Sequence, residues 1–323
     1  MPAFTATAPA KIILFGEHAV VYGRPAIAVP VPALQARAIV RADVRARPGS
    51  VRLIAPAIEL DATLSDLPPA HPLRRAVELT AETLHAPHIP SCQITIQSTI
   101  PVAAGMGSGA AVSVALIRTL AAYLGHPLPS ETVSALAFEV EKIHHGNPSG
   151  VDNTVIALER AVYFVRGKAP QLLSIQVPFQ LVIADSGIAS PTAQVVSDVR
   201  SAWQKNQAEY EELFDQIATI VTNALILFEK TGQTKTQGDY LATLGSWMNE
   251  NQALLRKMGV SCPELDRLVE IARQAGAYGA KLSGGGRGGN MIALVDEENK
   301  PSVIRALEEA GANRVISTAI GGD

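Results

Sequence analysis

Cysteine is nearly absent from this 323-residue chain. Cys92 and Cys262 stand far apart and form neither a metal-binding nor a redox spacing, so the sequence reads as a reduced, cytoplasmic protein. An excess of positive charge is missing too. Lys plus Arg number 27 against 30 Asp plus Glu, a net charge of -3, which argues against a general binder of nucleic acid or of acidic membranes. The N-terminus, MPAFTATAPAKIILFGEH, has no charged region followed by an apolar core, and so no secretory signal peptide. Charge disappears altogether from Ile89 to Ile117, 29 residues without Asp, Glu, Lys, Arg or His. That length would suit a membrane span. Pro90, Pro101, three glycines and scattered Ser, Thr and Gln exclude one, and the stretch reads as a strand, a loop and the start of a buried helix. Internal repeats and low-complexity linkers are also lacking.

What is present describes a folded chain: 47% hydrophobic and 18% charged residues, at a length suited to two domains of roughly 150 residues. Strand patterns occur at Ile12 to Phe15, Ala26 to Val31, Leu34 to Arg45, Val51 to Ala55 and Cys92 to Ser98, with Leu34 to Ala55 read as an antiparallel meander. His71 to Leu84 predicts a helix, and Ala110 to Leu124 one that is apolar almost all round. Ser130 to His144 predicts an amphipathic helix with Ser130 as N-cap, Glu131 in its first turn and Gly146 as its stop. Further strands are expected at Val162 to Val165 and Leu181 to Ala184. Helical patterns follow over Thr192 to Lys230, Tyr240 to Met258 and Pro263 to Gly276, and then strand, helix and strand at Ile292 to Val295, Pro301 to Gly311 and Val315 to Ala319. A polar, Pro-containing stretch from Gly167 to Pro178 separates a strand-rich from a helix-rich half, dividing the chain into domains 1–175 and 176–323.

Four constellations carry chemistry. In Pro101 to Ala111, Gly105, Gly107 and Gly109 with Ser108 lie between a strand and a helix. Glycines let backbone N–H groups wrap an anion, and the helix that follows points its positive end at the same spot, so the loop reads as a nucleotide phosphate cradle. It is neither a Walker A motif nor the dinucleotide GxGxxG pattern. Glu141 lies late in a helix and Asp152 follows the rigid turn Pro148-Ser149-Gly150. Two carboxylates so delivered suit a divided task, one holding a metal and one handling a hydroxyl proton. His144 and His145 between them read as favourable charges at a helix C-terminus. Lys11 begins an apolar strand that Glu17 and His18 close after Gly16; on its own it reads as a lysine snorkelling to solvent. Seven glycines fall between Gly276 and Gly289, a density that calls for a backbone lying close against a ligand or another part of the protein.

Taken together and in order, Gly16 to Gly23, Pro101 to Ala111, His145 to Asn153 and Gly279 to Gly286 resemble the galactokinase–homoserine kinase–mevalonate kinase–phosphomevalonate kinase (GHMP) superfamily, and within it the mevalonate kinases, over essentially the whole chain. Asp185 to Thr192 is similar to the family's loop around the acceptor substrate. The resemblance implies a two-domain α+β fold: an N-terminal ribosomal-protein-S5-like α/β domain, a C-terminal ferredoxin-like domain, and an active site in the cleft between them. It implies that Pro101, Ala104, Gly105, Met106, Gly107, Ser108, Gly109 and Ala110 bind ATP, and that Glu141 and Ser108 hold Mg²⁺. Asp152 would accept the proton of the acceptor hydroxyl, with Lys11 beside it stabilising charge at the transferring phosphoryl group. Glu17, His18 and Thr192 would contact mevalonate, whose C5 hydroxyl is phosphorylated; a homodimer is also suggested.

The sequence departs from that pattern at Gly109, where the family carries a second serine, at Arg287, where a small residue is usual, and at Asn290, where cysteine is frequent. Arg287 either reaches a phosphate or is solvated. The alternatives are another small-molecule kinase of the same fold, for phosphomevalonate, homoserine or a sugar, and a metabolite sensor without turnover. A phosphorylated acceptor would need extra cations near Glu17 and Thr192, where only Arg24 is seen. A sensor would be expected to have lost Asp152 or Lys11.

Overall fold

The structure is a computed structural model that describes residues 3–101, 104–145, 148–229 and 236–322, with the side chains of residues 144–145 outside that set. Its elements are β1 (Ala3–Phe15), β2 (Ala26–Ala42), β3 (Val51–Ala55), β4 (Leu60–Thr63), α1 (Pro72–Thr83), β5 (Cys92–Ser98), α2 (Ser108–Tyr123), α3 (Ser130–His145), α4 (Val151–Leu158), β6 (Val162–Phe164), β7 (Gln171–Leu172) and β8 (Phe179–Asp185). Then follow α5 (Thr192–Lys205), α6 (Gln207–Glu229), α7 (Gln237–Lys257), α8 (Pro263–Gln274), β9 (Gly279–Ser283), β10 (Asn290–Val295), α9 (Lys300–Glu309) and β11 (Arg314–Ile320). No helix among the described residues is long and apolar enough to cross a membrane. Two compact units emerge, one of Met1–Ala10, Leu34–Pro101 and Gly107–Glu159, the other of Lys11–Ala33, Val102–Met106 and Arg160–Asp323.

In the first unit the strands run β4-β3-β5-β2. β5 lies between β2 and β3, antiparallel to β2 (Ala36 opposite Ser98) and parallel to β3 (Val51 opposite Cys92). The expected meander from Leu34 to Ala55 is therefore wrong: β2 and β3 follow each other in sequence but are not neighbours, because α1 is the crossover that lets β5 insert. Helices α1 to α4 pack on one another. The uncharged stretch supplies the centre, since ten residues of α2 are buried, among them Ser113 and Thr119. Thr119 donates to Ala115 O at 2.7 Å and lies 3.2 Å from Ala38 O on β2, so its hydroxyl stays partnered in the core. Arg118, the first charge after the stretch, donates to Thr7 O (3.2 Å) and to Ala157 O at the end of α4 (2.7 Å). Ser130 is the first helical residue of α3 rather than its cap: Val133 N already bonds Pro129 O at 3.0 Å. The predicted stop at Gly146 lies outside the described residues.

The second unit is built on the antiparallel sheet β11-β8-β10-β9, in the β-α-β-β-α-β order of a ferredoxin-like layer. The helical stretch expected from Thr192 to Lys230 is two helices, broken at Asn206, and its end at Lys230 lies outside the described residues. β9 is an edge strand, and its outward amides are covered rather than exposed. Leu282 N donates to Gln252 Oε1 (2.8 Å) and Ala280 N to Asn249 Oδ1 (3.1 Å), both on α7. Every residue of β9 and β10 is buried.

Candidate functional site

Most of the expected acceptor residues, and the entrance of the phosphate loop, gather inside the second unit. β1 runs through Lys11, which is 3% exposed, so the snorkelling reading of this lysine fails. Its backbone N–H donates to Met106 O at 3.1 Å, tying the strand to the phosphate loop. β1 ends at Phe15. Gly16 then turns the chain at φ 102°, where a Cβ would come within 2.5 Å of Ala26 Cα. Only glycine fits there. Glu17 and His18 follow in the turn, and His18 sits at φ 60°, a left-handed conformation that a non-glycine residue adopts at a cost.

Both side chains point into buried surroundings and are held by the C-terminal glycine segment. His18 Nε2 lies 3.0 Å from Gly285 O. A carbonyl only accepts, so Nε2 carries the proton and Nδ1 keeps its lone pair. Burial pushes the His18 pKa down to about 4, with the Gly285 carbonyl pulling the other way and the charges of Arg287 and Lys281 adding to the fall. Glu17 is fully buried and ion-paired with the equally buried Lys281 of β9. Burial pushes the Glu17 carboxyl up and the Lys281 ammonium down, while their mutual attraction opposes both shifts. Lys281 and Ser283 share one face of β9. Ser283 Oγ accepts from Ile13 N (3.1 Å) and donates to Ile13 O (3.0 Å), so β9 is pinned to β1 two residues from Lys281.

The glycine loop Gly284–Gly289 meets two other segments. Gly284 lies against the phosphate loop, where a Cβ would be 3.3 Å from Gly105 O, and Asn290 donates to Ala104 O. On its other side Ser190 Oγ bonds Gly286 O (3.0 Å), and Thr192, the first residue of α5, fills the space where a Gly285 Cβ would stand, 2.6 Å from its Oγ1. Gly286 lies against Val260 O, 2.0 Å from a Cβ position. The glycine density thus serves close backbone approach. Arg287 is half-exposed and already engaged: it is ion-paired with Asp198 of α5 and donates to Gly259 O at 3.1 Å. Arg24 is likewise occupied, by Glu211 and Asp215 of α6.

The remaining site residues belong to the first unit. Gly107, at φ 72°, is the N-cap of α2 with no side-chain cap, and Ser108, Gly109 and Ala110 make the first turn, where backbone N–H groups have no helical partner. Glu141 is buried near the end of α3. Asp152 is half-buried in the first turn of α4, a helix that no sequence signal separated from its Pro-Ser-Gly turn. Asn153 fastens that turn by donating to Ser134 Oγ (2.9 Å) and Ser134 O (3.1 Å) on α3. Among the described residues no group of three or more His, Cys, Asp or Glu is placed to hold a metal ion. Lys281 lies within the glycine-rich motif and was missed by the sequence reading; the signal available was a charge inside an otherwise apolar strand.

With this geometry in view, comparisons with known proteins are specific. The family models GHMP kinases N terminal domain and GHMP kinases C terminal match residues 71–160 and 239–313. A mevalonate kinase of Pyrococcus horikoshii is 35% identical over 328 residues, covering 97% of this chain and 94% of the relative. The crystal structure of L. major mevalonate kinase in complex with R-mevalonate is similar at a TM-score of 0.81 and 28% identity, over 98% of this chain and 95% of that one. The Methanococcus jannaschii mevalonate kinase shares the fold at a TM-score of 0.84 and 24% identity, over 100% and 99% of the two chains.

Proposed function

The chain belongs to the GHMP kinases and, within them, to the mevalonate kinase family, and from that premise we propose that it transfers the γ-phosphoryl group of ATP to the C5 hydroxyl of (R)-mevalonate. One observation carries the reading. The glycine loop touches the phosphate loop at Gly105 on one side and the buried His18 and the Thr192 hydroxyl on the other, so an anion cradle and a set of hydroxyl-directed polar groups adjoin within one unit. Neutral His18, with Nδ1 as an acceptor, suits a hydroxyl donor. Arg24, Arg287 and Lys281 each already face a carboxylate, which supports an acceptor without a phosphate of its own.

The roles follow from the surroundings. Ala104 to Met106 and the first turn of α2, with Pro101 before them, would hold the ATP phosphates through backbone N–H groups. Asp152 would accept the proton of the C5 hydroxyl as the O–P bond forms and ADP leaves. Lys11 would hold its charge toward the transferring phosphoryl group. Glu17, His18 and Thr192 would fix the acceptor so that its hydroxyl is in line, and such positioning supplies most of the rate in this chemistry. Mg²⁺ fits the donors present: it takes one or two carboxylates together with substrate phosphates, and Glu141 with the Ser108 hydroxyl is a hard oxygen pair of that kind. When bound it would supply positive charge against that of the ATP phosphates. We place the reaction in the cytoplasm, carried out by a homodimer.

Incubation with ATP, Mg²⁺ and (R)-mevalonate is expected to give ADP and 5-phosphomevalonate in equal amounts, read by phosphorus NMR. ADP formed without a phosphorylated product would contradict the reading.

A further inference from the structure

Lys281 is given no part in the transfer above, yet its burial is hard to explain by stability alone. Two ions with no exposed side-chain surface are costly to desolvate, and an apolar pair of similar volume is often as stable. The pair is also held from every side. Lys281 Nζ donates to Glu17 and to Leu282 O (2.7 Å), β9 is fixed to α7 by Asn249 and Gln252, and Ser283 locks it to β1. Across from it, Glu17 follows a glycine whose Cβ position is filled by Ala26 and Pro25. Glu17 Oε1 is taken by Lys281; among the described residues, Glu17 Oε2 is buried and has no hydrogen-bond partner. A buried carboxylate oxygen left without a donor is destabilising unless a ligand supplies one.

We propose that Lys281 is a positioning residue for the acceptor substrate: by occupying Oε1 it holds the Glu17 carboxylate turned so that Oε2 accepts a hydroxyl of the acceptor. This rests on the reading of Glu17 as an acceptor contact. Lys281 acts through Glu17 and does not touch the reacting atoms.

The test is steady-state kinetics with (R)-mevalonate and ATP on Glu17→Gln, Lys281→Met and the double variant. Glu17→Gln is expected to raise the KM for mevalonate about tenfold or more, the loss of a charge-assisted hydrogen bond. Lys281→Met should raise it by a similar factor while the KM for ATP stays within about twofold. In the Glu17→Gln background, Lys281→Met should add less than about twofold. A purely structural lysine would lower the active fraction without singling out the mevalonate KM. A raised KM in Glu17→Gln with a wild-type KM in Lys281→Met overturns the proposal and leaves the reading of Glu17 standing. A wild-type KM in Glu17→Gln removes both. Should Lys281→Met fail to fold, the double variant, with no unpaired charge, decides: a further loss of about tenfold beyond Glu17→Gln would mean that Lys281 meets the substrate itself.

Discussion

Asp152 stands half-buried in the first turn of a short helix, whereas Glu17 is sealed in the second unit beside a lysine on a covered edge strand. The first, proposed as the base, stands where a helix begins, within reach of a substrate hydroxyl from outside. The second is given a permanent counter-ion and one free oxygen, which suits a group that orients and does not react. A third arrangement on the same glycine loop sets the scale: Arg287 and Asp198 pair with side chains 37% and 39% exposed, a fastening that water largely screens. Burial therefore sorts the charged groups by task. On the proposed roles, Asp152 sits half-buried at a helix end, Glu17 and Lys281 are desolvated, and the Arg287–Asp198 fastening lies at the rim.

The sharpest way to break this contrast is to neutralise Asp152 itself and, separately, the partner of Glu17. Asp152→Asn should lower kcat by about 10²- to 10⁴-fold, the range of a lost general base, with little change in thermal stability. Survival of most of the activity would mean that Asp152 does not take the proton. Lys281→Met should instead show itself in denaturant unfolding, costing about 3–5 kcal/mol because it strands the Glu17 charge; adding Glu17→Gln should recover part of that loss. Equal stability of single and double variants would show the pair to be uncoupled.

His18 gives a pH-dependent version of the same point. The unfolded chain takes up a proton on this histidine near the ordinary 6.5, whereas the folded chain resists until about 4. Between those values the unfolded state binds more protons, so lowering the pH favours it, and the His18 contribution costs about 3 kcal/mol at pH 4 and vanishes above about 6.5. Unfolding measured at pH 7 and pH 4.5 should therefore fall more steeply for the wild type than for His18→Gln. Parallel curves would contradict the buried, neutral histidine. The smallest effect belongs to the rim, where Arg287→Ala should cost no more than about 1 kcal/mol.

Much of this was legible in the sequence wherever the signal is local. The 29 uncharged residues gave a buried helix after a glycine loop, and the Gly-Glu-His turn was placed at the end of its strand. Long-range pairing was not. Nothing within Leu34 to Ala55 says that β5 comes to lie between the two strands, because that depends on a crossover through α1. Glu17 and Lys281 are 264 positions apart, so no spacing rule connects them, and the lysine was hidden in a motif noticed for its glycines. Arg287 and Arg24 could be read as free cations until the carboxylates of α5 and α6 were seen beside them.

The central claim is tested most directly by the ratio kcat/KM for a panel of acceptors, (R)-mevalonate, phosphomevalonate, homoserine and galactose, with ATP and Mg²⁺ held in excess. The highest value is expected for mevalonate. A higher value for phosphomevalonate or any other member of the panel would contradict it.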